Sequence, residues 1–200
     1  GIYASIGEIE DGMRTLTPRH SVTDAPDATT LEVPEGEIEF RDVEFTYGRE
    51  RDGVQGVSLR IAPGERLGIV GASGAGKSTL VALLLRLYDT EKGQILIDGQ
   101  DISKVTQESL RRAISMVTQD TAMFNRSARD NLKYGLPDAP DEAMEEAARR
   151  AEAHEFVTGL EDYNSRTGYD AHLGERGVRL SGGQRQRVAL ARAILKNAPI

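Results

Sequence analysis

Gly71-Ala72-Ser73-Gly74-Ala75-Gly76-Lys77-Ser78 follows the pattern G-x-x-x-x-G-K-[ST], and this stretch decides the fold. Polyphosphate carries several negative charges, and a ring of backbone N–H groups wraps it only where side chains are absent. Gly71, Gly74 and Gly76 let the backbone turn and come close. Ala72, Ser73 and Ala75 complete the ring with small side chains, and its contacts extend to Thr79. Lys77 is placed to reach the terminal phosphates, and the Ser78 hydroxyl to ligate Mg²⁺. A glycine-rich turn without a ligand is the alternative, and the flanks weigh against it. Leu67–Val70 is a short apolar run that fits a strand buried on both faces. Ser78 to Tyr88 carries apolar residues at helical spacing. Strand, glycine loop and helix make half of a βαβ unit.

Upstream of the loop, Ile38, Phe40, Val43 and Phe45 give a broken alternation that reads as a strand, and Val57 to Ile61 alternates cleanly as another. Pro63-Gly64-Glu65 is a turn. Downstream, Gln94 to Ile97 reads as a strand closed by Asp98-Gly99, and Ile114 to Val117 as a further one. Asp141 to His154 is the clearest helix, with acids early and Arg149 and Arg150 late, as the helix dipole favours. Gly182-Gly183 precedes a second strong helix, Gln184 to Leu195. The expected fold is α/β: a P-loop core with a mostly parallel sheet, an antiparallel β subdomain near the N-terminus, and a helical subdomain at about 121–178.

The 200 residues are 38% hydrophobic and 28% charged, ordinary for a globular chain. There is no Cys, which excludes disulfide scaffolds and cysteine nucleophiles. No apolar run approaches the roughly 20 residues that span a bilayer. Of the net charge of −7, residues 1–48 hold eleven acidic and three basic side chains, so the remainder is close to neutral. A nucleic-acid binder shows a basic excess. None appears, and no nucleic-acid partner is expected. The first 36 residues look like a connector: Ile2, Ile6, Ile9 and Met13 recur at helical spacing, followed by a stretch rich in Pro, Thr and Asp. That lead-in is either the tail of a helix entering from upstream or a frayed extension.

Leu180-Ser181-Gly182-Gly183-Gln184 is a second nest of amides at a helix N-terminus, suited to an anion but without a lysine of its own. With this pair of motifs the sequence resembles the ATP-binding cassette (ABC) ATPases, from about Gly36 to Ile200. The resemblance implies two cassettes that sandwich two ATP molecules head to tail. Ser181, Gly182, Gly183 and Gln184 would then touch the ATP of the partner. It implies that Tyr47 stacks on adenine and that Gln119, in Val117-Thr118-Gln119-Asp120, meets Mg²⁺ or the attacking water. Lys77 and Gln119 are the catalytic candidates, with Ser78 and Gln119 as Mg²⁺ ligands. Phe124 to Leu132 is similar to the exporter segment after the Q-loop. Gly174-Glu175-Arg176-Gly177 is similar to the exporter loop that senses the membrane domain, although Asp170-Ala171-His172-Leu173 departs from the usual residues there. Phe124 and Glu175 are therefore the expected coupling residues.

On this resemblance the chain is expected to be an ATPase driving export at the cytoplasmic face of a membrane. A second cassette and a membrane domain of the same polypeptide are its expected partners. Residues 1–36 then read as the end of a last transmembrane helix plus linker, and 37–200 as the ATP-binding domain. The family's second acidic Mg²⁺ anchor, its catalytic Glu and its switch His are expected beyond Ile200, so these 200 residues alone are expected to be inactive. The competing class is a soluble ABC-type ATPase acting on nucleic acid or ribosomes. His20, His154 and His172 share no metal or catalytic spacing. Arg111-Arg112 and Arg149-Arg150 read as solvated helix charges.

Overall fold

The computed structural model describes residues 22–47, 53–119 and 121–200. The expected helix between Ile2 and Leu16 lies outside the described residues. The chain divides into two compact units, Gly1–Ala113 and Ile114–Ile200.

In the first unit, β1 (Ile38–Thr46) pairs antiparallel with β2 (Gly53–Ile61) on one side and β3 (Lys92–Ile97) on the other. The short β4 (Gln100–Asp101) pairs with β3. The sheet order is β2-β1-β3-β4. The broken alternation of β1 is a bulge. Its register shifts between Phe40 and Val43, where Asp42 sits at φ 47° and its N–H donates to the Ser58 hydroxyl. The bulge keeps Ile38, Phe40, Val43 and Phe45 all buried. Asp98 and Gly99, both at positive φ, close a two-residue hairpin between β3 and β4. Helix α1 (Lys77–Leu84) follows the glycine loop, and α2 (Gln107–Ala113) ends the unit. Leu83, Ile95, Ile97, Val105 and Leu110 are fully buried.

Two expected strands are absent. Leu67–Val70 and Ile114–Val117 run without sheet pairing. Leu67, Ile69, Val70, Met116 and Val117 are exposed. A parallel strand exists only with ladder partners; Ser115 N–H donates to the Ile200 carbonyl at 2.7 Å, but neither run joins a ladder among the described residues, so the described sheet is antiparallel. Residues 22–37, which read as connector by composition, are strapped to the first unit. Gln107 Nε2 donates to the Val22 carbonyl, and Arg86 Nη2 to that of Thr23. Thr29 bridges to Val105, and Leu31 is buried. The Asp98 carboxylate receives the amides of Glu35, Gly36 and Glu37.

The second unit is helical: α3 (Ala128–Leu132), α4 (Asp141–Arg150), α5 (His154–Thr158) and α6 (Gly182–Lys196). The expected helix through His154 stops at Arg150, and Glu152 at φ 54° turns the chain into α5. Met144, Ala148, Val157, Leu173, Val188 and Ala191 centre its core. Among the described residues, no helix is long and apolar enough to cross a membrane.

Candidate functional site

Gly74 and Gly76 both stand at φ 81°, the left-handed region, and Gly76 caps α1. Those two turns aim the loop so that α1 starts at Lys77, with its N-terminal amides facing the loop. A Cβ on Gly76 would lie 2.8 Å from Val54 Cγ1 and 2.9 Å from the Gly53 carbonyl oxygen. Gly53 is tighter still, since a Cβ there would meet the Phe45 carbonyl oxygen at 1.9 Å. Two glycines thus let the start of α1 sit against the start of β2, and β2 against β1.

Tyr47, Gly53 and Ser73 to Thr79 line one open cavity of about 600 Å³. The Lys77 ammonium folds over the loop and donates to the carbonyls of Gly71 and Ala72, each at 2.7 Å. Ser78 is exposed, and Thr79 is buried beneath the helix start. Tyr47 is held edge-on by Phe45 at 4.9 Å and by Tyr88 at 5.3 Å, so its ring stays in place while 47% exposed. The structure therefore brings Tyr47 and the phosphate loop, far apart in sequence, to one cavity. Gly53 belongs to that wall and was missed by sequence reasoning. Its signal is the pairing of Thr46 with Gly53, which only the folded sheet reveals. The cradle fits a polyphosphate: its loop carries only glycines and small side chains up to Lys77, Cβ atoms added at Gly53 and Gly76 would collide with its wall, and Lys77 is the cation among its described lining residues.

The other expected residues lie in the second unit. Ser181 caps α6 in a capping box: its hydroxyl accepts from Gln184 N at 3.2 Å, and Gln184 Oε1 accepts from Ser181 N at 2.9 Å. Gly182 and Gly183 occupy the first turn with no positive φ. Around Gly183 nothing lies within 4 Å of a built Cβ. Neither backbone conformation nor internal packing requires glycine there, and glycine disfavours a helix. Gln119, expected at a strand end, is exposed and follows the 114–118 segment, which forms no strand.

The segments bearing Phe124 and Glu175 are in contact. A Cβ on Gly174 would meet Asn125 Oδ1 at 2.4 Å, and Asn125 Oδ1 accepts from Arg176 N. The loop bearing Glu175 thus rests on the residue after Phe124, with Glu175 exposed. Asp162 anchors its far end. Its carboxylate, only 2% exposed, receives the His172 amide at 2.9 Å, the amides of Asn164 and Arg166, and Arg166 Nε at 2.7 Å. The His172 amide and these further donors hold the Asp162 carboxyl far below the usual carboxylate range. His154 Nδ1 meets the Tyr169 hydroxyl at 2.8 Å, and no cluster of metal-ligating side chains occurs among the described residues.

The sequence profile of a family described as ABC transporter matches residues 54–200. The chain is 54% identical over 199 residues to an uncharacterized ABC transporter ATP-binding protein of Haemophilus influenzae, covering 100% of this chain and 32% of that protein. It is 53% identical over 165 residues to the β-(1→2)glucan export ATP-binding/permease protein NdvA of Rhizobium etli, covering 82% of this chain and 27% of the relative. Against ATP-binding cassette sub-family B member 6 of Homo sapiens it is 46% identical over 195 residues, 98% of this chain and 23% of the relative. Among solved structures, a bacterial Atm1-family ABC exporter with ATP bound is similar at a TM-score of 0.83 and 42% identity, over 98% of this chain and 33% of that one. The chain spans about a third or less of these proteins.

Proposed function

The chain belongs to the ABC transporter family, and on that premise we propose that it is the ATP-binding and ATP-hydrolysing engine of an ABC exporter. The observation that carries this reading is the single cavity walled by Tyr47, Gly53 and Ser73–Thr79, with Lys77 folded over it. The Tyr47 ring takes the adenine face. The amides from Gly71 to Thr79 take the phosphates, and Lys77 exchanges its two loop carbonyls for β- and γ-phosphate oxygens. Ser78 would hold Mg²⁺, with Gln119 as a further proposed ligand, and the ion would supply charge that neutralises the β- and γ-phosphates. Gln119 orients the attacking water. The water oxygen bonds to the γ-phosphorus as the bond to the β–γ bridging oxygen breaks, leaving ADP and phosphate. Catalysis is positioning and electrostatic stabilisation.

Ser181, Gly182, Gly183 and Gln184 act on the ATP of a second cassette, a copy of this chain or a relative. The open space around Gly183 supports that role. Phe124 and Glu175 face a membrane domain of the same polypeptide, placing the cassette at the cytoplasmic face. The helical part of the domain, at about 121–178, carries both residues. Full-length protein reconstituted in lipid vesicles tests the reading. Vanadate-sensitive Mg²⁺-dependent ATP hydrolysis is expected, abolished by Lys77→Ala; hydrolysis unchanged by that substitution overturns it.

A further inference from the structure

Arg192 lies on α6, ten residues beyond Gly182, which is about 15 Å along the helix axis. It has no carboxylate partner among the described residues. Its guanidinium instead grips the opposite segment with all three nitrogens. Nε donates to the Asn131 carbonyl at 2.6 Å, Nη2 to Asn131 Oδ1 at 2.8 Å, and Nη1 to the Ala122 carbonyl at 3.3 Å. Asn131 is fully buried. Its Oδ1 accepts from Phe124 N at 2.9 Å, and its Nδ2 donates to the carbonyls of Phe124, Arg126 and Ser127. The guanidinium also lies 5.5 Å from the Phe124 ring and 6.0 Å from that of Tyr134, which stack on each other at 4.4 Å. A hydrophobic side chain would fill this space without the bonds. The planar fork is what lets one residue hold two carbonyls, an amide oxygen and a ring.

We propose that Arg192 is a positioning residue that ties the Phe124–Tyr134 face to the helix opened by Ser181-Gly182-Gly183-Gln184, so that a shift of that helix is carried to Phe124. This rests on the reading above, in which the start of α6 meets nucleotide and Phe124 meets the membrane domain. Helices move as rigid bodies more readily than they bend. Arg192 makes the far end of the same rod the anchor of the coupling segment.

Hydrogen exchange on the full-length protein in lipid nanodiscs, with and without MgATP plus vanadate, tests this. In the wild type, trapping is expected to change exchange across residues 122–127 by about fivefold, alongside protection of residues 71–79. Arg192→Lys keeps the charge and stem but loses the fork. It is expected to abolish the response at 122–127 while leaving that at 71–79 intact. A merely structural arginine would alter exchange equally with and without nucleotide. Retention of the response in Arg192→Lys, or its absence at 122–127 in the wild type while 71–79 is protected, overturns the proposal. No protection of 71–79 in the wild type instead removes the nucleotide reading, and this inference with it. Should Arg192→Lys fail to fold, Phe124→Leu removes the ring beneath the guanidinium and keeps the Asn131 bonds. Its response is expected to fall below about twofold, and an unchanged response overturns the proposal.

Discussion

Gly74 and Gly76 share a φ of 81° yet stand in different surroundings, and the difference is measurable. Around Gly74 nothing lies within 4 Å of a Cβ, so Gly74→Ala carries backbone strain alone, about 1–2 kcal/mol. Gly76→Ala adds a collision with Val54 and with the Gly53 carbonyl, and is expected to cost about 1–3 kcal/mol more. Denaturant unfolding of the two variants checks this, and equal losses contradict it. Asp162 gives a second residue-scale outcome. Its depressed carboxyl stabilises the fold above its ordinary unfolded value, near 4, and that stabilisation is lost as pH falls toward the native value. Asp162→Asn is expected to lower Tm at neutral pH, with the gap to wild type closing as pH drops below about 4. Thermal melts across acid pH read it directly, and a gap independent of pH contradicts it. The glycines and Lys77 were legible because phosphate binding dictates their spacing. Gly53 and Asp162 were not, since each is defined by atoms distant in sequence: the Phe45 carbonyl for one, the His172 amide for the other.

At the scale of elements, the first turn of α6 holds a helix cap and, on the proposed function, a contact with a second cassette's nucleotide. Ser181 and Gln184 close a capping box, so Ser181→Ala removes a helix cap worth about 1 kcal/mol whatever else it does. Gly183→Ala separates the two. Alanine there meets open space, and the helix gains up to about 1 kcal/mol. Tm is expected to hold or rise, while ATP hydrolysis by the full-length protein falls at least about tenfold, because a methyl group blocks close approach to the second cassette's nucleotide. Calorimetric Tm and steady-state hydrolysis on the same samples check this; hydrolysis unchanged by Gly183→Ala contradicts the external contact. Element type was legible where one element suffices to create its own pattern. Helices α1, α4 and α6 and strands β1 and β3 all declare their periodicity. Leu67–Val70 and Ile114–Val117 are legible as apolar runs, but a parallel strand is a property of its neighbours, and neither run joins a ladder among the described residues. The start of β2, Gly53 to Gly56, hid for a related reason: two glycines and a Gln carry no strand signal, and pairing with β1 alone makes them one.

At the scale of the whole chain, the first unit supplies the phosphate loop and its aromatic wall, and the second supplies the α6 start and the contacting segments that bear Phe124 and Glu175. The segment from Val22 to Glu37 was read as connector from its Pro, Thr and Asp content. Composition reports the lack of a periodic apolar face, not the lack of contacts. Its side-chain and backbone bonds to Arg86, Asp98 and Gln107 have no sequence period. The division of labour between units yields the sharpest test. Titration calorimetry of the full-length protein with MgATP is the measurement, run on wild type, Lys77→Ala and Gly183→Ala. Lys77 is the cation among the described residues that line the cavity, and a charge-assisted bond of about 1.5–3 kcal/mol sets the scale. Lys77→Ala is predicted to weaken binding about 10- to 100-fold, while Gly183→Ala binds like the wild type. Unchanged affinity in Lys77→Ala would contradict the account.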